Sequence, residues 1–194
     1  RSCPSSPHQS ALPLIDIPLQ HCDSEILKSM NRSGSRAEYE QMVARIRQRI
    51  PGVALRTTLI VGYPGETEEQ FDDLCDFVSE TEFDYVGIFA YSPEDGTPAA
   101  ELPNQVDEDT KKARLQELRD IADAVSSHVV SQRIGTSMDV LVLGCEEDGQ
   151  LYGRAQCQAP DVDGVTYLEN GAVGEVHTVS ISDTLLYEME ALGD

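Results

Sequence analysis

The chain has 194 residues, 40% hydrophobic and 25% charged, enough apolar material for one medium domain or two small ones. Its 14 basic residues against 35 acidic ones give a net charge of −21, a field that repels nucleic acid phosphate and anionic lipid and suits a basic partner, or simply solubility. No apolar run approaches a membrane span, and the opening RSCPSSPHQSALPL lacks the basic segment and apolar core of a secretory signal.

In chain order, PLIDIPL at residues 13–19 alternates and carries two prolines, which predicts a short strand. DSEILKSMNR predicts a helix capped by Asp23 or Ser24. Tyr39, Met42, Val43, Ile46 and Ile50 then fall at helical spacing, and Pro51 with Gly52 stops that helix. Residues 53–61 predict a second strand. TEEQFDDLCDFVSET predicts a helix with Phe71, Leu74, Cys75 and Val78 inside, and residues 83–91 a third strand. The order βα–βα–β is a parallel α/β pattern. A turn-rich loop over residues 92–105 leads into one long helix, residues 107–133, with Leu115, Leu118, Ile121, Ala122, Val125 and Val129 as its stripe.

From Gly135 the character changes. MDVLVLG, GQLYGRAQ, GVTYLENG and GEVHTVSIS are short β-rich runs, predicting a small antiparallel barrel or sandwich. Two units follow: residues 1–133, including the long linking helix, and residues 134–194. The first holds 13 basic and 23 acidic residues; the second holds Arg154 alone against 12 acidic ones, hence −11.

The five cysteines, Cys3, Cys22, Cys75, Cys145 and Cys157, form no C-x-x-C and no zinc spacing. They read as reduced thiols of a cytosolic protein, and no metal site is assigned. His177 and Tyr152 read as packing or surface residues. Asp161 with Asp163, and Glu146, Glu147 with Asp148, read as solvated turns without calcium spacing.

The stretch RTTLIVGYPGETEEQF joins a buried strand through Gly62, Pro64 and Gly65 to a helix start, a place where α/β proteins hold ligands. It has no lysine and no G-x-x-x-x-G-K, which argues against a nucleotide triphosphate; its acid suits an amine, a sulfonium or ribose hydroxyls. Alternation puts Arg56, Thr58 and Ile60 on one face, pointing into a barrel of parallel strands below a ligand-binding rim. Arg56 there meets either an anionic ligand or a carboxylate such as Asp16. Gln20 closes the preceding strand at the same rim. Reversing the chain and favouring a helix N-terminus are the ordinary uses of the same glycines and glutamates.

Three blocks, IPLQHCDSEILKSMNR, RTTLIVGYPGETEEQF and FAYSPEDGTPAAELPNQV, closely resemble consecutive blocks of the radical S-adenosylmethionine methylthiotransferases, and the tail resembles their TRAM domain. PLQH, YSPEDGTPAAELPNQV and DTLLYEME lean toward the branch that methylthiolates an aspartate of small-subunit ribosomal protein twelve. The resemblance implies an α/β fold: the last three strands of a six-stranded (β/α) barrel, followed by a small OB-like antiparallel barrel. It implies S-adenosylmethionine at the strands' C-terminal mouth, with Gln20, Arg56, Thr58, Ile60, Gly62 and Tyr91 as cofactor-binding residues. The superfamily pattern G-x-I-x-G-x-x-E fits in part: Ile60 and Gly62 match, Thr58 replaces the first Gly, and Glu66 falls one residue late.

The family also implies two 4Fe-4S clusters, each on three cysteines. No C-x-x-x-C-x-x-C is present, so the chain, which lacks an initiator Met, reads as the C-terminal portion of a longer enzyme, without catalytic residues or activity of its own. Its first strand then lacks its inner neighbour, and the fragment is expected to be marginal alone. The implied partners are the missing N-terminal part and a basic ribosomal protein held by the acidic barrel, with no nucleic acid and no membrane. The alternatives are a relative acting on tRNA, disfavoured by the tail's charge, and a non-catalytic acidic adaptor.

Overall fold

The computed structural model describes residues 14–160 and 162–192. Its first unit is a parallel sheet of β1 (Leu14–Gln20), β2 (Ala54–Val61) and β3 (Tyr85–Ala90), with β2 in the middle. Four helices accompany it: α1 (Ser24–Ser29), α2 (Arg36–Arg49), α3 (Glu68–Thr81) and α4 (Glu108–Ser131). Alternation divides β2. Leu55, Leu59 and Val61 are buried against Val43 of α2, Phe71, Leu74, Phe77 and Val78 of α3, and Leu118 and Ala122 of α4. Arg56, Thr58 and Ile60 face the other way and are only partly covered. Gly87 and Phe89 share that side, and Phe89 is 60% exposed. An open face of this kind is what the inner wall of a partial (β/α) barrel presents.

The helices start where short polar side chains can take orphan N–H groups. Asp23 caps α1, Ser35 caps α2, and Thr67 caps α3 in a reciprocal box with Gln70. The last turn of α3 ends on Glu82 in the left-handed region (φ 53°) instead of a glycine. Arg47 of α2 donates to the free carbonyls of Thr81 and Glu82, at 2.8 and 2.6 Å, and so replaces the usual glycine cap.

The buried row of α4 differs from the apolar stripe expected. It runs Lys111, Arg114, Leu118, Ala122, Ser126, Val130, while Leu115, Ile121, Val125 and Val129 are half-buried. Two cations lie on the inner face because buried or neighbouring carboxylates meet them, which hydropathy patterning cannot register.

The second unit is a closed barrel ordered β4-β5-β6-β8-β7, with β4 (Ser137–Cys145), β5 (Leu151–Ala155), β6 (Thr166–Leu168), β7 (Val176–Leu185) and β8 (Glu188–Leu192). Four of its pairings are antiparallel, but β6 and β8 run parallel and close the ring, so the barrel is not antiparallel throughout. The expected runs omitted β8, which follows β7 through a tight turn with Leu186 at φ 56°.

The barrel packs on the N-terminal end of the sheet. Ala54 of β2, Tyr85 of β3 and Val130 of α4 share one core with Met138, Val140, Cys157, Leu168, Ile181 and Met189. Tyr187 stacks obliquely on Tyr85 at 6.0 Å and its hydroxyl donates to Asp123 of α4. No helix among the described residues is long and apolar enough to cross a membrane.

Candidate functional site

At the C-terminal end of β2 the chain turns through Gly62 and Gly65, both left-handed (φ 71° and 86°). Lys111 lies over the first: a β-carbon at Gly62 would stand 2.5 Å from Lys111 Cγ. Both Glu66 carboxylate oxygens accept from the Gly62 N–H at 3.0 Å. Arg114 donates to Glu66 Oε1 at 2.8 Å and to its carbonyl at 3.2 Å, and its second amino group reaches Glu68 at 2.8 Å. The Glu66 side chain is fully buried. A strand-to-helix turn whose N–H would elsewhere cradle a phosphate is here filled by the chain's own carboxylate. Much of the turn's acid thus has an internal purpose: Glu66 holds the turn, Glu68 assists Arg114, and the capped α3 begins directly behind them.

The rim extends to both neighbouring strands. Gln20 ends β1 opposite Leu59, in the left-handed region (φ 72°) and just past a bulge. Tyr91 follows β3, and its N–H donates to the Val61 carbonyl at 2.8 Å, beside Gly62. The Tyr91 ring meets Tyr63 edge-on at 5.2 Å, and Lys111 Nζ stands 5.4 Å from its centroid. Among the described residues the covered Tyr91 hydroxyl finds no hydrogen-bond partner. Gln20, Gly62 and Tyr91 therefore lie at one end of three adjacent strands, with Ile60 and Thr58 below them on the open face.

Arg56 is elsewhere. It donates to Asp16 at 2.7 Å and to Asp163 of the barrel at 3.1 Å, near the N-terminal end of β2 and about 20 Å of strand from Gly62. The Asp16 pairing raised by the sequence is present, and Asp163 joins it. One guanidinium between two carboxylates leaves a net negative group, which does not receive an anion. Burial raises the Asp163 carboxyl above its ordinary range despite the Arg56 charge and the Ala159 N–H bond.

Sequence reasoning missed His21, Lys111 and Arg114. The available signals were His21's position directly after Gln20 and the charges interrupting the α4 stripe. Glu66 was visible as the displaced last letter of the superfamily pattern.

Among the described residues no group of three His, Cys, Asp or Glu is placed to hold a metal ion. Cys22 and Cys75 are buried in the core of the first unit and Cys157 in the core shared with the barrel, so these three thiols are not gathered around one iron–sulfur cluster; burial pushes all three up, Cys75 to about 12. Cys3 lies outside the described residues.

The radical SAM superfamily profile matches residues 8–78, and the TRAM domain profile matches residues 134–192. Proteins named ribosomal protein uS12 methylthiotransferase RimO are 43% identical in Anaeromyxobacter sp. (strain Fw109-5) and 44% identical in Geotalea uraniireducens (strain Rf4), each across 90% of this chain. This chain belongs to the radical SAM methylthiotransferases. It spans about two-fifths of the length of those relatives, 38% and 40%. Among solved structures, coproporphyrinogen III oxidase (HemN) from Escherichia coli, a radical SAM enzyme, is 19% identical with a TM-score of 0.44, covering 64% of this chain and 28% of that one. Its three-stranded parallel sheet is part of a radical SAM barrel, and its closed barrel is the TRAM domain.

Proposed function

We propose that this chain is the C-terminal portion of a cytoplasmic methylthiotransferase that modifies an aspartate of ribosomal protein uS12. The observation that carries the reading is the 43–44% identity to enzymes of that name, running through both units. Gln20, Thr58, Ile60, Gly62 and Tyr91 would line one wall for S-adenosylmethionine, and the unpartnered Tyr91 hydroxyl fits a polar ligand there. With two iron–sulfur clusters ligated outside the described residues, S-adenosylmethionine would supply the radical and the methyl group, and the clusters the reducing electron and the sulfur. Among the described residues, these side chains would orient the cofactor, while Glu66 and Arg114 would fix the turn beside it.

The TRAM barrel would take the basic substrate. Glu146, Asp148, Glu169 and Glu190 surround Tyr167 and the exposed Leu192 in a groove of about 450 Å³. A surface with that charge attracts lysine- and arginine-rich protein and repels tRNA phosphate. The decisive assay incubates the intact enzyme with uS12, S-adenosylmethionine and reductant, and reads the protein by mass spectrometry. A methylthio group on an aspartate is expected, and binding that weakens steeply with salt. Modification or retention of tRNA at physiological salt would overturn the assignment.

A further inference from the structure

His21 is fully buried between the end of β1 and the glycine turn. Its Nδ1 accepts the Asp23 backbone N–H at 3.0 Å, so a neutral ring carries its proton on Nε2. Among the described residues that Nε2 makes no hydrogen bond of normal length. It stands 3.5 Å from Glu66 Oε2, on the same carboxylate that holds the Gly62 N–H and receives Arg114. A buried N–H left without a partner is costly, so its closeness to a fixed carboxylate is informative. Glu66 thereby stands at the meeting point of three elements: β1 through His21, the β2 turn through Gly62, and α4 through Arg114.

We propose that His21 is a positioning residue for the rim. As the Nε2–H tautomer it donates to Glu66, locks that carboxylate against the Gly62 N–H, and ties the height of Gln20 on β1 to the turn on β2. The two segments that would form the cofactor's wall are then set relative to each other by one imidazole. Its relevance to the cofactor rests on the reading given above; the positioning itself does not.

The test uses the intact enzyme and NMR of the imidazole nitrogens at neutral pH, the His21 signals being assigned by their loss in the variants below. The unaltered chain should show the neutral Nε2–H tautomer for His21; the Nδ1–H tautomer overturns the proposal without any variant. Two substitutions then separate positioning from packing. His21→Asn keeps a short acceptor for the Asp23 N–H but loses the distal donor, whereas His21→Gln keeps a donor at the Nε2 distance. Gly62 amide exchange should rise about tenfold or more in His21→Asn and stay near the unaltered rate in His21→Gln. Equal exchange in all three chains, or a larger rise in His21→Gln, overturns the proposal. Equilibrium dialysis of S-adenosylmethionine with the intact enzyme tests the other reading separately. Unchanged affinity in His21→Asn, together with faster Gly62 exchange, keeps the positioning role and removes the cofactor from it.

Discussion

The two ends of β2 are held by the same device. At the C-terminal end buried Glu66 accepts the Gly62 N–H and pairs with Arg114. At the N-terminal end buried Asp84 accepts the Leu55 N–H at 2.7 Å and pairs with Arg133. Arg114 lies near the start of α4 and Arg133 just beyond its end, so the helix is stapled to both ends of the strand. The lengths agree: Leu55 to Gly62 is about 23 Å of strand, and Arg114 to Arg133 about 28 Å of helix. What differs is the neighbour. The Asp84 end is sealed by the TRAM barrel, with Tyr85, Tyr187 and the Arg56–Asp163 pair. The Glu66 end carries the rim of the open face. One kind of clamp thus serves a domain joint at one end and the rim of the open sheet face at the other.

The largest effect should come from breaking a clamp. Glu66→Ala removes the buried carboxylate from Arg114, leaving it only exposed Glu68 and a backbone carbonyl, and leaves the Gly62 N–H unpaired in the interior; it is expected to cost about 3–5 kcal/mol in urea unfolding. Asp84→Ala should cost a similar amount but speed amide exchange at Leu55 and Met138 instead of at Gly62. If both variants loosen the same amides, the two ends are not separate.

Gly62→Ala comes next, at about 1–3 kcal/mol, from a left-handed φ and the clash with Lys111. A chain as stable as the original would show that the turn can relax.

The Arg56–Asp163 joint should show itself in pH dependence. Because burial raises the folded Asp163 carboxyl, the folded state binds that proton more tightly than the unfolded state. Its contribution to stability therefore declines as pH rises through the window just above the ordinary carboxylate range. Asp163→Asn should flatten that slope; an unchanged slope in acid-range unfolding curves would assign it to another group.

The smallest effect is expected from Arg36, which bridges Glu40, Asp73 and Glu80 near the surface. Arg36→Ala should cost no more than about 1 kcal/mol, diminishing in salt. A larger loss would place a third clamp on α2.

These contrasts also mark what the sequence could convey. The faces of α2 and α3 were legible because Tyr39, Val43, Ile46, Phe71, Leu74 and Val78 repeat at helical spacing and do enter the core. The parallel sheet follows from element order and the small barrel from the short β-rich runs after Gly135, which the likeness of the tail names a TRAM domain. The α4 register was misread because Arg114 and Lys111 occupy inner positions, and only their distant partners make that possible. Glu66 and Arg114 are 48 residues apart, and Arg56 and Asp163 are 107 apart. Hydropathy does not encode such pairs. β8 was too short and too close to β7 to separate by pattern. Gln20, Gly62 and Tyr91 were legible as strand ends, whereas Arg56 belongs to the joint through a residue of the other unit.

The difference between the two ends of β2 is tested most directly by photo-crosslinking the intact enzyme with an azidoadenosyl analogue of S-adenosylmethionine. Labelled peptides carrying Gln20, residues 58–62 or Tyr91, with none carrying Asp84, Arg133 or Asp163, are the predicted result. Label confined to the joint or the TRAM barrel would contradict it.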